Sequence, residues 1–252
     1  MKFFAHIVFF ILLSSVQASF SSEYKYNFFW HSFPFAKFSV EYSESTEKDF
    51  IAKFNLATEG PLKIYRNYSS EITIIRNQHN YPPSWSYELK GIDRGQPEKK
   101  SIFYSLEEPP IIREFIDDRG VEPIIIDSLK DKGSFDPLSV YLDIVKKLKE
   151  NTDCNGVYSV MDGKRRYNVR VTNITAKQDI PKNYKIENEK IHHCRLELNK
   201  EDDNLKTKKK IWPFNGESNY LDIWFSEQLD YEAMRFVVNT PLGKLTANID
   251  RP

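Results

Sequence analysis

Alternation of apolar and polar residues with a period of two recurs along most of the chain, and it restricts the fold more than any other property. Phe50, Ala52, Phe54 and Leu56 alternate with partly polar neighbours, and Trp85, Tyr87 and Leu89 alternate with Ser86, Glu88 and Lys90. Ile102, Tyr104 and Leu106 continue the pattern. Tyr167, Val169 and Val171 oppose Asn168, Arg170 and Thr172; Leu196 and Leu198 flank Glu197; Leu245, Ala247 and Ile249 oppose Thr246, Asn248 and Asp250. Successive side chains of a strand point to opposite faces, so each segment reads as a strand with one face on a core and one face wet. About eleven such segments can be marked, which predicts a mainly β, mostly antiparallel fold.

One segment breaks the rule with a helical period. Asp136 is a good N-cap and Pro137 suits the first helical position, where no N–H is needed. Leu138, Tyr141, Leu142, Ile144, Val145 and Leu148 then form one apolar stripe, with Ser139, Asp143, Lys146, Lys147 and Glu150 away from it. A lone amphipathic helix must bury its stripe, and the large partner on offer is the sheet. The predicted architecture is a curved antiparallel sheet or half-barrel with this helix on its concave side. Residues 107–134, with Pro109, Pro110, Pro123, Gly120 and Gly133, read as a long crossing segment within the same domain. Ile111-Ile112 and Ile124-Ile125-Ile126 are too apolar for a solvated linker. Asp162-Gly163, between two alternating runs, predicts a two-residue hairpin turn with positive φ at both positions. The rival role for Asp162 is a catalytic acid.

Residues 1–18 have the layout of a secretory signal peptide: Lys2, an apolar run over 3–13, then Val16-Gln17-Ala18 as a small-x-small site with cleavage expected after Ala18. The run is short for a span of roughly 30 Å of hydrocarbon. The expectation is therefore an exported, periplasmic protein with no stable membrane span after cleavage, its remaining residues 19–252 forming a single β-rich domain. The cysteines number two, Cys154 and Cys194. In an oxidising compartment an isolated pair is most simply a disulfide, worth roughly 4 kcal/mol for a loop of about 40 residues. A redox or metal pair is the rival reading, and the spacing lacks the C-x-x-C form. Lys plus Arg and Asp plus Glu both number 36, so no global charge draws the chain to nucleic acid or to an anionic membrane.

Several short motifs resemble a bacterial family of exported proteins, domain of unknown function 3108. Phe135-Asp136-Pro137-Leu138-Ser139 resembles its helix start, and Met161-Asp162-Gly163-Lys164-Arg165-Arg166-Tyr167 its central hairpin. Ile223-Trp224-Phe225 resembles the strand before its last hairpin, Thr240-Pro241-Leu242-Gly243 its closing turn, and residues 24–30 its opening strand. Cys154 and Cys194 fall where many members carry a cysteine pair. Ser32-Phe33-Pro34-Phe35-Ala36 departs from the glycines that usually follow the opening Trp. The resemblance implies an exported, β-rich, half-barrel-like protein and no established activity.

Motifs for catalysis are missing: there is no G-x-S-x-G, H-E-x-x-H, P-loop or dinucleotide fingerprint. His192-His193-Cys194 is the one cluster of metal-ligand types, and alternation splits it between two faces. No metal, cofactor or catalytic residue is assigned. Arg165, Arg166 and Tyr167 are candidate ligand-mouth contacts; the rival reading is a structural ion pair with a buried carboxylate. Lys206-Thr207-Lys208-Lys209-Lys210, followed by Trp212 and Phe214, reads as a solvated hairpin tip or a membrane-surface contact. The leading functional expectation is non-catalytic binding of an apolar or amphipathic, lipid-like molecule in the hollow of the sheet. The alternatives are a structural or interaction module of the envelope and a carboxylate-dependent hydrolase.

Overall fold

The structure is a computed structural model that describes residues 22–44, 49–77, 82–117, 119–151, 153–175, 190–200, 220–240 and 243–250. The expected signal peptide, its cleavage site after Ala18 and the basic run 206–210 lie outside these residues. Seven strands come first: β1 (Ser22–Trp30), β2 (Phe33–Glu44), β3 (Asp49–Thr58), β4 (Tyr68–Asn77), β5 (Ser84–Asp93), β6 (Gln96–Ser105) and β7 (Ile111–Ile116). A one-turn helix α1 (Leu62–Tyr65) lies between β3 and β4. Helix α2 (Pro137–Asn151) follows β7, and six more strands complete the chain: β8 (Gly156–Met161), β9 (Arg166–Asn173), β10 (Ile191–Lys200), β11 (Tyr220–Ser226), β12 (Glu232–Thr240) and β13 (Gly243–Ile249).

All thirteen strands belong to one antiparallel sheet, in the order β7-β6-β5-β4-β3-β2-β1-β13-β12-β11-β10-β9-β8. Each half is a meander of neighbours in sequence, the arrangement that short connections favour. The two meanders join where the first and last strands pair, Tyr26 opposite Ile249 and Trp30 opposite Leu245. Among the described residues the edge strands of the sheet are therefore β7 and β8, and the chain passes from one to the other through residues 117–136 and α2.

Strands twist with a fixed hand, and a sheet this wide must coil. Register shifts at Phe28/Phe29, Ser101/Ile102 and Trp224/Phe225 bend it further. It coils around α2. The helix touches both meanders: the Ser139 carbonyl accepts from Arg76 Nη2 on β4 (3.0 Å), Tyr141 packs on Phe225 and Phe236, and Asp143 accepts from the Tyr158 hydroxyl on β8 (2.7 Å). Ile144 and Leu148 are fully buried beneath it, each contributing about 1.5–3 kcal/mol by burial. Ser139, expected on the wet face, is buried because the sheet reaches past the stripe and binds its carbonyl.

The crossing segment closes the gap between the two edges. Phe135 adds to the free edge of β8, its N–H donating to the Ser159 carbonyl (2.8 Å) and its own carbonyl accepting from Met161 N–H (3.0 Å). Ile124 N–H donates to the Gly163 carbonyl (2.9 Å), and the Tyr104 hydroxyl on β6 reaches the Met161 carbonyl (2.8 Å). An edge that would otherwise invite a foreign strand is thus partly covered.

Cys154 and Cys194 form a disulfide with Cα atoms 6.2 Å apart, tying the entry to β8 to β10, two strands away. The hairpin at Asp162-Gly163 is wider than a two-residue turn. Met161 and Arg166 are the last pair, leaving four loop residues, and Gly163 has φ of 84° while Asp162 is not left-handed. The Asp162 carboxylate explains the difference: it accepts from the Lys164 and Arg165 amides (2.8 Å each), which caps the loop from within.

Candidate functional site

The space between α2 and the sheet is filled by side chains. Trp85 stacks on Tyr104 (5.5 Å between ring centres) and meets Phe135 (5.1 Å), which packs edge-on against Tyr158 (5.4 Å). Two buried carboxyl groups lie in this interior. Asp136 Oδ1 accepts from the Leu138 and Ser139 amides (3.0 and 2.8 Å), capping α2, while Oδ2 accepts from the Trp85 indole (2.7 Å). Burial raises its pKa against those donors. Glu232, on β12, is met by three phenols from three elements: Tyr26 on β1 (2.8 Å), Tyr42 on β2 (2.7 Å) and Tyr141 on α2. Desolvation pushes this carboxyl up as well, and the hydroxyl donors pull it back only in part. Both groups are spent on holding the helix to the sheet.

The hairpin tip is likewise occupied. Arg166 donates to Asp131 (2.5 and 2.7 Å) and to the Ile125 carbonyl, an ion pair that fixes the crossing segment. Tyr167 is buried in the core, and Arg165 lies 3.8 Å from Asp162. Arg166, not Arg165, thus meets the buried carboxylate, and it does so on the face opposite to Tyr167. Lys164 bridges Glu98 on β6 (3.2 Å) and Asp117 just after β7, a clasp across the seam. Burial and the neighbouring Lys100 lower the Lys164 pKa. His192 faces Glu227 (3.1 Å), whereas His193 faces Asp222 (3.0 Å) and stacks on Trp224 (4.4 Å), so the two imidazoles serve separate contacts.

A groove of about 810 Å³ lies on the other side of the sheet, across β1 to β5. Strand register arranges its wall in two rows that run across the strands. The first row is Asp250, Lys25, Ser39, Asn55, Glu71 and Lys90; the second is Asn27, Lys37, Ala57, Ser69 and Ile92. Interior positions of the same strands, Tyr26, Val40, Phe54 and Leu89, are buried, so both rows face outward. The hollow follows from small outward residues at its middle, Ser39, Ala57 and Ser69. Strands β4 and β5 also approach closely at Gly91, where a Cβ would stand 2.7 Å from the Ser69 carbonyl oxygen. Lys25 pairs with Glu23 (3.1 Å) and Lys37 with Glu59 (2.9 Å), which leaves the wall close to neutral. Neither the groove nor the tyrosine shell of Glu232 is marked in the sequence: the groove appears only when register aligns five successive strands, and the shell joins β1, β2 and α2 to a distant β12.

No family model matches the chain, and no curated protein matches it. Among solved structures the chain is similar to the β-barrel-like protein of domain of unknown function DUF1849 from Brucella abortus. The TM-score is 0.56 at 10% identity, covering 92% of this chain and 95% of that one. At this identity the likeness is one of fold: a β-barrel-like domain.

Proposed function

We propose that the chain is an exported, non-catalytic binding protein of the cell envelope whose ligand lies in the outer groove across β1 to β5. The observation that carries the reading is the position of the open space. The interior, where a lipid-like molecule would sit, is packed with Tyr26, Phe54, Tyr104 and Phe225, all essentially inaccessible, while the roomy hollow is on the opposite face. Its volume falls in the ~300–1,000 Å³ range of small-ligand clefts. A lipid-like occupant of the interior would require this aromatic packing to give way. Hydrolysis finds little support, since Asp136 and Glu232 are committed to a helix cap and to phenols.

Export to the periplasm rests on residues 1–18 and on the disulfide, a bond that persists in oxidising compartments. A distant relation to domain of unknown function 3108 accords with both. The test is an NMR titration of the processed protein with solvent-extracted and aqueous fractions of a bacterial envelope, beside cell fractionation. Shifts confined to Asn27, Asn55 and Ser69 support the reading. Co-purified lipid with shifts around Tyr141 and Phe225, or retention of the full chain in the cytoplasm, overturns it.

A further inference from the structure

We infer that the outer groove accommodates a neutral oligosaccharide chain lying across the strands; this rests on the groove being the ligand site. The floor is built from β1 to β5, and each of these strands is paired on both sides. Their backbone N–H and C=O groups are consumed by the ladders, so a ligand is recognised through side chains alone. That disfavours a peptide, which gains most of its affinity from main-chain bonds at a free sheet edge.

The side chains on offer are carboxamides (Asn27, Asn55), hydroxyls (Ser39, Ser69), carboxylates (Glu71, Asp250) and ammonium groups. Such a set gives both donors and acceptors at close spacing, the requirement set by vicinal hydroxyls. Charge argues against anionic polymers. Lys25, Lys37 and Lys90 face Glu71 and Asp250, and Glu23 and Glu59 already pair with two of the three lysines. Phosphate-rich chains need a surplus of unpaired cations, which this wall lacks. A lipid tail would leave the polar rows desolvated and unpartnered. The Ala57 methyl and the Ile92 side chain, 49% exposed, supply the apolar surface on which the C–H face of a sugar ring rests.

Length fits as well. Five strands at the usual spacing set β1 and β5 about 19 Å apart, enough for several sugar rings end to end. The wall carries no outward aromatic ring, so stacking adds little and affinity depends on the amides. The geometry thus makes Asn27 and Asn55 the principal contacts.

The test is an NMR titration of the processed protein with maltotetraose, cellotetraose, chitotetraose and lysozyme-released glycan chains. Tetra-alanine and short-chain polyphosphate serve as comparison ligands. The expected result is a saturable shift of the Asn27 and Asn55 side-chain amides by at least one glycan. The double variant N27A/N55A should weaken it at least about tenfold at an unchanged melting temperature. Saturation of the same amides by the peptide or polyphosphate, with no glycan effect, overturns the sugar assignment and leaves the groove as a site. No shift of groove residues by any of these ligands overturns the sugar assignment too. In that case the envelope-fraction titration, run in parallel, decides whether the groove binds at all.

Discussion

Glu232 shows how much one side chain can hold in place. It is buried, no cation among the described residues is paired with it, and its oxygens receive three phenols that come from β1, β2 and α2. The folded state binds its proton more tightly than the unfolded chain, because burial raises the pKa from about 4.5. A group shifted in that direction contributes stability that is complete below the unfolded value and is lost as pH climbs through the folded one. Glu232→Gln should therefore flatten part of the pH dependence. Subtracting the variant's melting temperature from the wild type's at each pH should give a difference that falls as pH rises from about 4.5. A difference independent of pH would show that the carboxyl titrates normally in the folded protein. None of this could be read from sequence: Tyr26 and Glu232 are 206 positions apart, and no local pattern marks either one.

Helix α2 was legible because its signals are local. Asp136, Pro137 and the apolar stripe occupy consecutive turns, and the structure adds only what lies across from them. Asp136 also accepts from Trp85, so its removal strips a cap and leaves a buried indole N–H without an acceptor. Asp136→Ala should cost about 2–4 kcal/mol in urea unfolding, combining a cap with an unsatisfied donor. Asp136→Asn, which keeps one acceptor oxygen for the cap but turns an amide N–H toward the Trp85 indole, should recover the cap's share only; equal losses for both variants would count against the cap. The strands were legible where alternation is clean, as in β5 and β9. They were less so in β1, where Phe28-Phe29-Trp30 is apolar on successive residues, and the segments marked fell short of the observed thirteen. The disulfide staples β10 to the entry of β8 across a sequence separation of 40. Replacing both cysteines by serine should lower stability by about 4 kcal/mol or less. A protein insensitive to the change would show that the unfolded chain gains little freedom when the link is cut.

At the scale of the whole molecule, the decisive features are those with no sequence signature: which strands end up at the edges, and what seals the gap between them. Lys164 reaches from the β8–β9 loop to Glu98 and Asp117, and both acids are nearly inaccessible. Removing the cation leaves Glu98 only Lys100 (3.6 Å) and Asp117 only Arg119 (3.8 Å) as ion-pair partners among the described residues, so Lys164→Met should cost up to about 3–5 kcal/mol. Amide exchange should then quicken in β7 and β8 before the centre of the sheet responds. Uniform acceleration over all strands would mean that the seam is no weaker than the rest. The groove was hidden for the same reason as the seam. Its residues are ordinary surface types on five separate strands, and only register brings them into two rows.

The pairing of β1 with β13 has a consequence for biogenesis. Strand β1 waits for β13, twelve strands later, since one flank of β1 stays open until residues 243–249 arrive. Contacts of such long range form slowly. If the chain is exported as proposed, threaded N-terminus first through a translocation pore, it would therefore emerge with its middle unclosed. The finished sheet could form only once the tail had cleared the channel.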